Sequence, residues 1–180
     1  MATRGFWIGV EAMPTSVLHA ATKHEWPIFC GQLPLDKGLQ AQLGELNTRA
    51  EWHDVALGTP IGQGYLMDLL RRRLPVDNVA LALDVSVNDG QADGQFVPLD
   101  ELLARVRCIV ETLLVVTRGA EATIPSGSGA LTVLLIRKNM PPEPVTEGLA
   151  AFVEQFVSAE AARWSVRGRS LRIERADSCD

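Results

Sequence analysis

The feature that most constrains the fold of this chain is a run of six aliphatic or β-branched residues at 131–136, LTVLLI. The run follows a glycine–serine turn at 126–129. Such a run is typical of a strand that is buried on both faces, and burial of this kind is characteristic of parallel sheets. Because parallel strands need long crossover connections, the run predicts a sheet covered by helices on both sides.

Further strand candidates alternate with helical patterns along the chain. The strand candidates lie at 5–10, 27–30, 52–57, 78–85 and 170–173, and helical spacing of apolar residues marks 39–46, 65–74, 102–117 and 145–162. This alternation predicts an α/β fold with three layers, a Rossmann-like (doubly wound), mostly parallel sheet of about six strands. No linker or repeat divides the sequence, so we expect one domain over residues 1–176 and a tail over 177–180.

Composition narrows the class of protein. The chain has 180 residues and a net charge of −5, and this acidic balance disfavours broad nucleic-acid binding. Cys30, Cys108 and Cys179 are odd in number and far apart, which indicates free thiols in a reducing compartment. No stretch approaches the roughly 20 apolar residues of a membrane span, and the histidines lack metal-pair spacing. We therefore expect a cytoplasmic protein with no membrane, metal or nucleic-acid partner.

Residues 78–173 resemble the short-chain dehydrogenase/reductase family. The segment LDVSVNDG at 83–90 is similar to the family's L-D-x-L-V-N-N-A-G signature after strand four. VVTRGA at 115–120, followed by GSG at 127–129, is similar to the family's long helix and the turn into strand five. The resemblance implies a Rossmann fold, NAD or NADP as cofactor, and oxidoreductase activity.

The catalytic residues that the resemblance implies have no counterpart in this sequence. The family uses a tyrosine and a lysine four residues later, where the lysine lowers the pKa of the phenol. Tyr65 is the one tyrosine here, and Leu69 lies four residues after it. The matching positions, within 145–152, hold neither residue type, and the chain stops where the family has a seventh strand. We therefore expect a non-catalytic relative that serves as a binding, assembly or regulatory module.

Two segments are candidates for holding a dinucleotide. The loop GVEAMP at 9–14 has one glycine and an acidic residue where the family has a glycine-rich turn. A G-x-x-x-G-x-G pattern occurs instead at Gly58, Gly62 and Gly64. Glycines let the backbone approach phosphate at a helix N-terminus, so these three are the candidate cofactor-binding residues. They also suit an ordinary strand-to-helix turn. The alternative function is an NAD(P)-dependent oxidoreductase with a non-standard active site.

A third interpretation concerns the end of the strand at 78–85. Asp84, Asp89 and Asp93 follow one another there, at the sheet edge where open α/β folds bind ligands. This placement is consistent with a flavodoxin-like small-molecule binder, although a solvated loop explains these carboxylates more simply.

The resemblance also implies a homodimer. In the family, the helices that match 102–117 and 145–162 pair with their two-fold mates as a four-helix bundle. Both segments carry more apolar residues than one sheet-facing stripe requires, Phe152 and Phe156 among them. Soluble monomers rarely expose such patches, so we expect a homodimer through these two helices.

The arginines between Arg163 and Arg175 make the last segment basic. Either they solvate a helix end and an edge strand, or they bind an anionic partner.

Overall fold

Six parallel strands form one sheet in the computed structural model, which describes residues 4–33, 35–72, 76–86, 98–127, 129–138 and 144–178. The strands are β1 (Arg4–Ile8), β2 (Trp26–Gly31), β3 (Glu51–Asp54), β4 (Asn78–Asp84), β5 (Ala130–Lys138) and β6 (Ser170–Ser178). Their order is β3-β2-β1-β4-β5-β6, and each neighbouring pair is parallel. This is the doubly wound Rossmann order, so the predicted fold class is confirmed.

Within the described residues, five α-helices cover the two faces of the sheet. They are α1 (Thr15–Ala21), α2 (Lys37–Leu46), α3 (Pro60–Arg72), α4 (Leu99–Thr123) and α5 (Pro144–Val166). Helices α3, α4 and α5 pack on one face, where Leu66, Leu113 and Trp164 are buried. Helices α1 and α2 pack on the other face with Phe29 and Leu43. Because successive strand residues point to opposite faces, the sheet separates two hydrophobic layers.

The turn between β3 and α3 differs from its prediction. β3 ends at Asp54, three residues before the predicted end at Leu57. Helix α3 begins at Pro60, so Gly62 and Gly64 lie inside the helix and not in the turn before it. The reason is local: Thr59 Oγ1 accepts the Gly62 N–H at 3.1 Å and so caps the first turn.

The C-terminal strand is longer than predicted. β5 pairs with β6 along its whole length, as far as Lys138 with Ser178. Asp177 and Ser178 therefore belong to the sheet and not to the predicted tail.

The helices predicted at 102–117 and 145–162 extend further than predicted, to the bounds of α4 and α5. No described helix has both the length and the apolar character needed to cross a bilayer.

One face of the sheet is unevenly covered. Helix α1 has seven residues, and α2 has ten. Beside α1, an open depression of about 400 Å³ is bordered by Ala80, Thr132, Arg172 and Glu174 from β4, β5 and β6. This part of the sheet therefore keeps solvent contact on the face opposite α4 and α5.

Candidate functional site

A cavity of about 590 Å³ opens at the carboxyl ends of the parallel strands. It is lined by the loop after β1, the end of β4 and one side of α4, with smaller contributions that follow β2 and β3. Strand order reverses between β1 and β4, and open α/β sheets bind ligands at that point. Its volume lies within the usual range for small-molecule sites, about 300–1,000 Å³.

Gly9 holds the loop after β1 close to the sheet. Its φ is +78°, and its N–H donates to the Cys30 carbonyl at 2.8 Å. A Cβ at this position would lie 2.6 Å from the carbonyl oxygen of Ala82. Both the backbone conformation and the available space therefore require glycine. The loop then forms a 3-10 turn over Val10–Ala12, which brings Glu11 to the cavity.

Glu11 connects this loop to the end of β2. Its Oε2 accepts the backbone N–H of Gln32 at 3.2 Å. Gly31 leaves room for the carboxylate, since a Cβ there would overlap Oε2. Desolvation raises the pKa of Glu11, hydrogen bonds from backbone amides oppose that increase, and the nearby Asp54 carboxylate adds to it. The cavity thus has an acidic group at the position where the family resemblance places phosphate-binding glycines.

The residues of this loop do not fit a pyrophosphate. Phosphate-binding loops present free backbone N–H groups at the start of a following helix. Here the loop N–H groups of Gly9, Ala12 and Met13 already donate to backbone carbonyls, Pro14 has no N–H, and Glu11 supplies a carboxylate. A carboxylate repels phosphate oxygens, so this end of the cavity favours a neutral or cationic group.

The end of β4 and helix α4 supply the remaining polar groups. Asp84 Oδ1 accepts the Ser86 N–H at 2.9 Å, and its Oδ2 lies 4.0 Å from Arg105 Nη2. Arg105, Cys108 and Thr112 border the cavity from α4. Sequence analysis identified Asp84 but missed these three. Their intervals of three and four residues place them on one side of a helix, and this spacing is the sequence feature that could have predicted them.

The three candidate cofactor-binding glycines do not converge on one point. Gly58 borders the cavity, and a Cβ there would lie 3.3 Å from Cys108 Sγ. Gly62 is buried against the backbone of Ala56, and Gly64 is exposed with open space around it. Of the three, Gly58 is the one in a position to contact a ligand in the cavity.

Tyr65 lies on α3 and does not border the main cavity. Its side chain is 47% exposed, and its hydroxyl oxygen lies 2.9 Å from His53 Nδ1. Together with Asp68 and Arg72, these residues border a separate pocket of about 210 Å³. The first residues of α5, 144–152, carry neither tyrosine nor lysine.

Two further expectations concern metal and acidic groups. In the part of the chain that the structure describes, no group of three His, Cys, Asp or Glu side chains could hold a metal ion. Asp89 and Asp93, which were expected to join Asp84, lie outside the described residues.

Arginines of the basic segment make internal ion pairs. Arg163 Nη2 lies 2.9 Å from Glu121 Oε2, and Arg167 pairs with the same carboxylate. Arg175 Nη2 lies 2.6 Å from Glu154 Oε1. These contacts connect α5 to α4 and β6 to α5, which favours a structural role for these three over a free anion-binding surface.

Comparisons with known proteins give a fold but no sequence family. No protein-family model and no curated protein matches the sequence. YwfH, an NADPH-dependent reductase involved in bacilysin biosynthesis, matches with a TM-score of 0.75 at 9% identity over 98% of this chain and 74% of its own. BdcA from E. coli matches with a TM-score of 0.66 at 12% identity over 98% and 83%. A short-chain dehydrogenase from Burkholderia cenocepacia in complex with NADP gives 0.73 at 14% identity over 96% and 73%. The chain therefore has the Rossmann-like fold of the short-chain dehydrogenase/reductases.

Proposed function

We propose that this chain is a small-molecule-binding protein, a divergent relative of the short-chain dehydrogenase/reductases that does not use their proton relay. The observation that carries the proposal is the 590 Å³ cavity at the switch point of the sheet, lined by a carboxylate where the family resemblance implies a phosphate loop. A cavity in this place binds ligands in folds of this order. The residues that would transfer a proton in the family are missing from the sequence at 145–152.

The lining of the cavity indicates the chemistry of its ligand. Apolar side chains such as Met13, Ile109 and Ile136 contribute to the lining, and Glu11 and Asp84 supply acceptors. A ligand with an apolar body and hydrogen-bond donors, neutral or cationic, matches this arrangement. A ligand with several phosphates does not.

A fragment screen against the purified chain tests the proposal. The library contains neutral, cationic and phosphorylated compounds together with NADH and NADPH, and binding is followed by thermal shift and ligand-observed NMR. We expect neutral or cationic compounds to bind. Binding should be lost in Cys108→Phe, which adds a bulky ring to the cavity lining, and kept in Ala104→Phe, an exposed position one turn earlier on α4 that does not border the cavity. Binding that Cys108→Phe does not affect would disprove the assignment of the site.

A second candidate function is an NAD(P)-dependent oxidoreductase with a non-standard active site. This function is supported by two proteins of similar fold, BdcA and the Burkholderia enzyme, whose structures have been solved with NADPH and with NADP. Under this candidate function, Gly58 contacts the dinucleotide, whereas Gly62 and Gly64 do not. Thermal stabilisation by NADPH that Cys108→Phe removes would favour this candidate over the first.

We also propose that the chain is a homodimer through α4 and α5. Leu103 and Leu114 on α4 are 55% and 39% exposed, and Phe152 on α5 is 41% exposed. The Phe152 ring stacks on Phe156 with centroids 6.3 Å apart. A two-fold interface would remove these side chains from water, and such interfaces are self-complementary.

We propose a cytoplasmic location because the described cysteines are free thiols. Cys30 and Cys108 are free thiols in the structure. Burial strongly raises the pKa of Cys30, with a further contribution from Glu51, so this thiol is unreactive. Free thiols of this kind are usual in reducing compartments.

A further inference from the structure

We propose that Tyr65 is a nucleophile that accepts an acyl group from a small activated ester, with His53 as its base. The two residues border the pocket of about 210 Å³, which shares no lining residue with the cavity at the switch point of the sheet. The Tyr65 hydroxyl oxygen lies 2.9 Å from His53 Nδ1, and His53 Nε2 lies 3.5 Å from Glu51 Oε2. A nucleophile beside a base that a third group orients is the arrangement that covalent catalysis requires.

The sequence brings these groups together through the geometry of β3 and α3. Glu51 and His53 are two residues apart on β3, so their side chains lie on the same face of the sheet. His53 is in register with Cys30 of β2, whose side chain is buried in one cluster with Leu66 of α3. This face is therefore the one that α3 covers. Tyr65 precedes Leu66 on that helix, and the centroid of its ring lies 6.0 Å from that of His53.

The contacts of His53 determine which ring nitrogen carries the proton in the neutral imidazole. A carboxylate accepts hydrogen bonds and donates none, so the Nε2 that faces Glu51 carries the proton. Nδ1 then has a free electron pair and accepts the hydrogen bond from the Tyr65 hydroxyl. Nε2 is buried, so the carboxylate of Glu51 is the group that orients the ring. The separation of 3.5 Å is longer than a normal hydrogen bond, and catalytic contacts of this kind often shorten when substrate binds.

The other residues of the pocket suit a small acyl group. Leu69 provides an apolar wall, and Arg72 follows Tyr65 by two helical turns on the same side of α3. Arg72 Nη2 lies 3.9 Å from Asp68 Oδ2, which is beyond hydrogen-bond distance, so Asp68 leaves the guanidinium donors available to a ligand oxygen. A positive charge in this pocket would stabilise the negative charge that develops on an ester carbonyl oxygen. Tyr65 is 47% exposed, so an ester can reach its hydroxyl.

The acyl transfer needs no oxidant, metal or second substrate. Tyr65 Oη attacks the carbonyl carbon of the ester while its proton passes to His53 Nδ1. The new bond joins Oη to the acyl carbon, and the bond from that carbon to the leaving oxygen breaks. The leaving group departs with the electron pair of that bond, and His53 then releases its proton to water. The product is an acyl-tyrosine.

Reaction with p-nitrophenyl acetate tests the proposal, because Tyr65 is the one tyrosine of the chain. Release of p-nitrophenolate at neutral pH is followed by absorbance, and peptide mass spectrometry locates the acetyl group. We expect one acetyl group on Tyr65 that neutral hydroxylamine removes, since hydroxylamine cleaves phenyl esters and leaves lysine amides intact. Tyr65 should react at least about a hundredfold faster than N-acetyltyrosinamide, because general-base catalysis contributes about 10²–10⁴-fold.

Two variants test the base and the residue that positions it. His53→Gln should slow acetylation of Tyr65 at least about a hundredfold, whereas His19→Gln, on α1, should not. Glu51→Gln should slow it at least about tenfold, because the imidazole is then no longer held in one tautomer. Both losses should diminish toward about pH 10, where a phenol ionises without a base, and a merely structural role would not produce that pH dependence.

A matched pair of arginines tests the oxyanion contact. Arg72→Gln should slow acetylation at least about tenfold, whereas Arg71→Gln, an exposed neighbour that does not border the pocket, should not. The proposal is overturned if Tyr65 of the wild type reacts no faster than N-acetyltyrosinamide, a comparison that needs no variant. It is also overturned if folded His53→Gln keeps the wild-type rate, or if Arg72→Gln reacts as fast as Arg71→Gln.

Discussion

Replacement of Gly9 by alanine should destabilise the chain by about 2–5 kcal/mol. The left-handed conformation of this residue, φ +78°, costs a non-glycine residue about 1–2 kcal/mol. The added Cβ would also lie 2.6 Å from the Ala82 carbonyl oxygen, and overpacking of this kind costs about 1–3 kcal/mol. The two effects act together because the loop cannot move away without losing the Gly9–Cys30 hydrogen bond.

Two matched glycines separate these contributions. Gly127 has φ +92°, and a Cβ there would have no neighbour within 4 Å, so Gly127→Ala should cost about 1–2 kcal/mol, from strain alone. Gly64 lies in α3 with open space around it, so Gly64→Ala should stabilise the chain by about 0.5–1 kcal/mol. Urea unfolding followed by circular dichroism measures all three. A Gly9→Ala loss no larger than that of Gly127→Ala would refute the close approach of the loop to β4.

Three other predictions concern pH and assembly. Because the folded-state pKa of Glu11 lies above its unfolded value, ionisation above pH 4.5 disfavours folding. Glu11→Gln should therefore increase the free energy of unfolding at neutral pH and leave it unchanged well below pH 4.5, as urea unfolding at the two pH values would measure. Burial lowers the pKa of His24, against an opposing effect of Asp77, so protonation of this residue favours the unfolded chain. The free energy of unfolding should therefore fall as the pH drops below 6.5, and urea unfolding of His24→Gln should show a smaller fall. Phe152→Glu should remove association through α4 and α5, seen as a lower mass by light scattering, whereas Ser158→Glu, exposed on the same helix, should not; a monomeric wild type would end the helix-dimer proposal.

The strands that were easiest to predict are those buried on both faces. β5 contains the run at 131–136, in which Leu131 and Val133 are buried on one face of the sheet and Leu134 is buried on the other. β4 shows the same property over residues 81–83, whereas Ala80 borders the open depression beside α1. Burial on both faces requires apolar residues at successive positions, so such a strand can be predicted from a continuous apolar run.

The edge strand β3 could not be placed well from its sequence. Its residues, EWHD, form no apolar run. The strand exists because β2 supplies parallel backbone partners and because Trp52 stacks on Phe29 with ring centroids 4.4 Å apart. The apolar residues that suggested a longer strand follow it, and Val55 among them is buried outside the ladder. Tertiary contacts of this kind leave no periodic pattern.

The G-x-x-x-G-x-G pattern suggested a turn at 58–64, although the two residues after Gly58 predict the start of a helix. Thr59-Pro60 is a helix start, with threonine as N-cap and proline in the first turn. That pair places Gly62 and Gly64 within the helix. The position of the cavity, by contrast, followed from topology, since parallel strands gather their carboxyl ends at one edge.

The claim that this fold binds ligands without the family's hydride transfer is tested most directly by NADPH absorbance. The purified chain is mixed with NADPH and a panel of aldehydes and ketones. We predict that NADPH oxidation will be no faster with the wild type than with Cys108→Phe or with buffer alone. Sustained oxidation by the wild type and Ala104→Phe, abolished in Cys108→Phe, would contradict the claim.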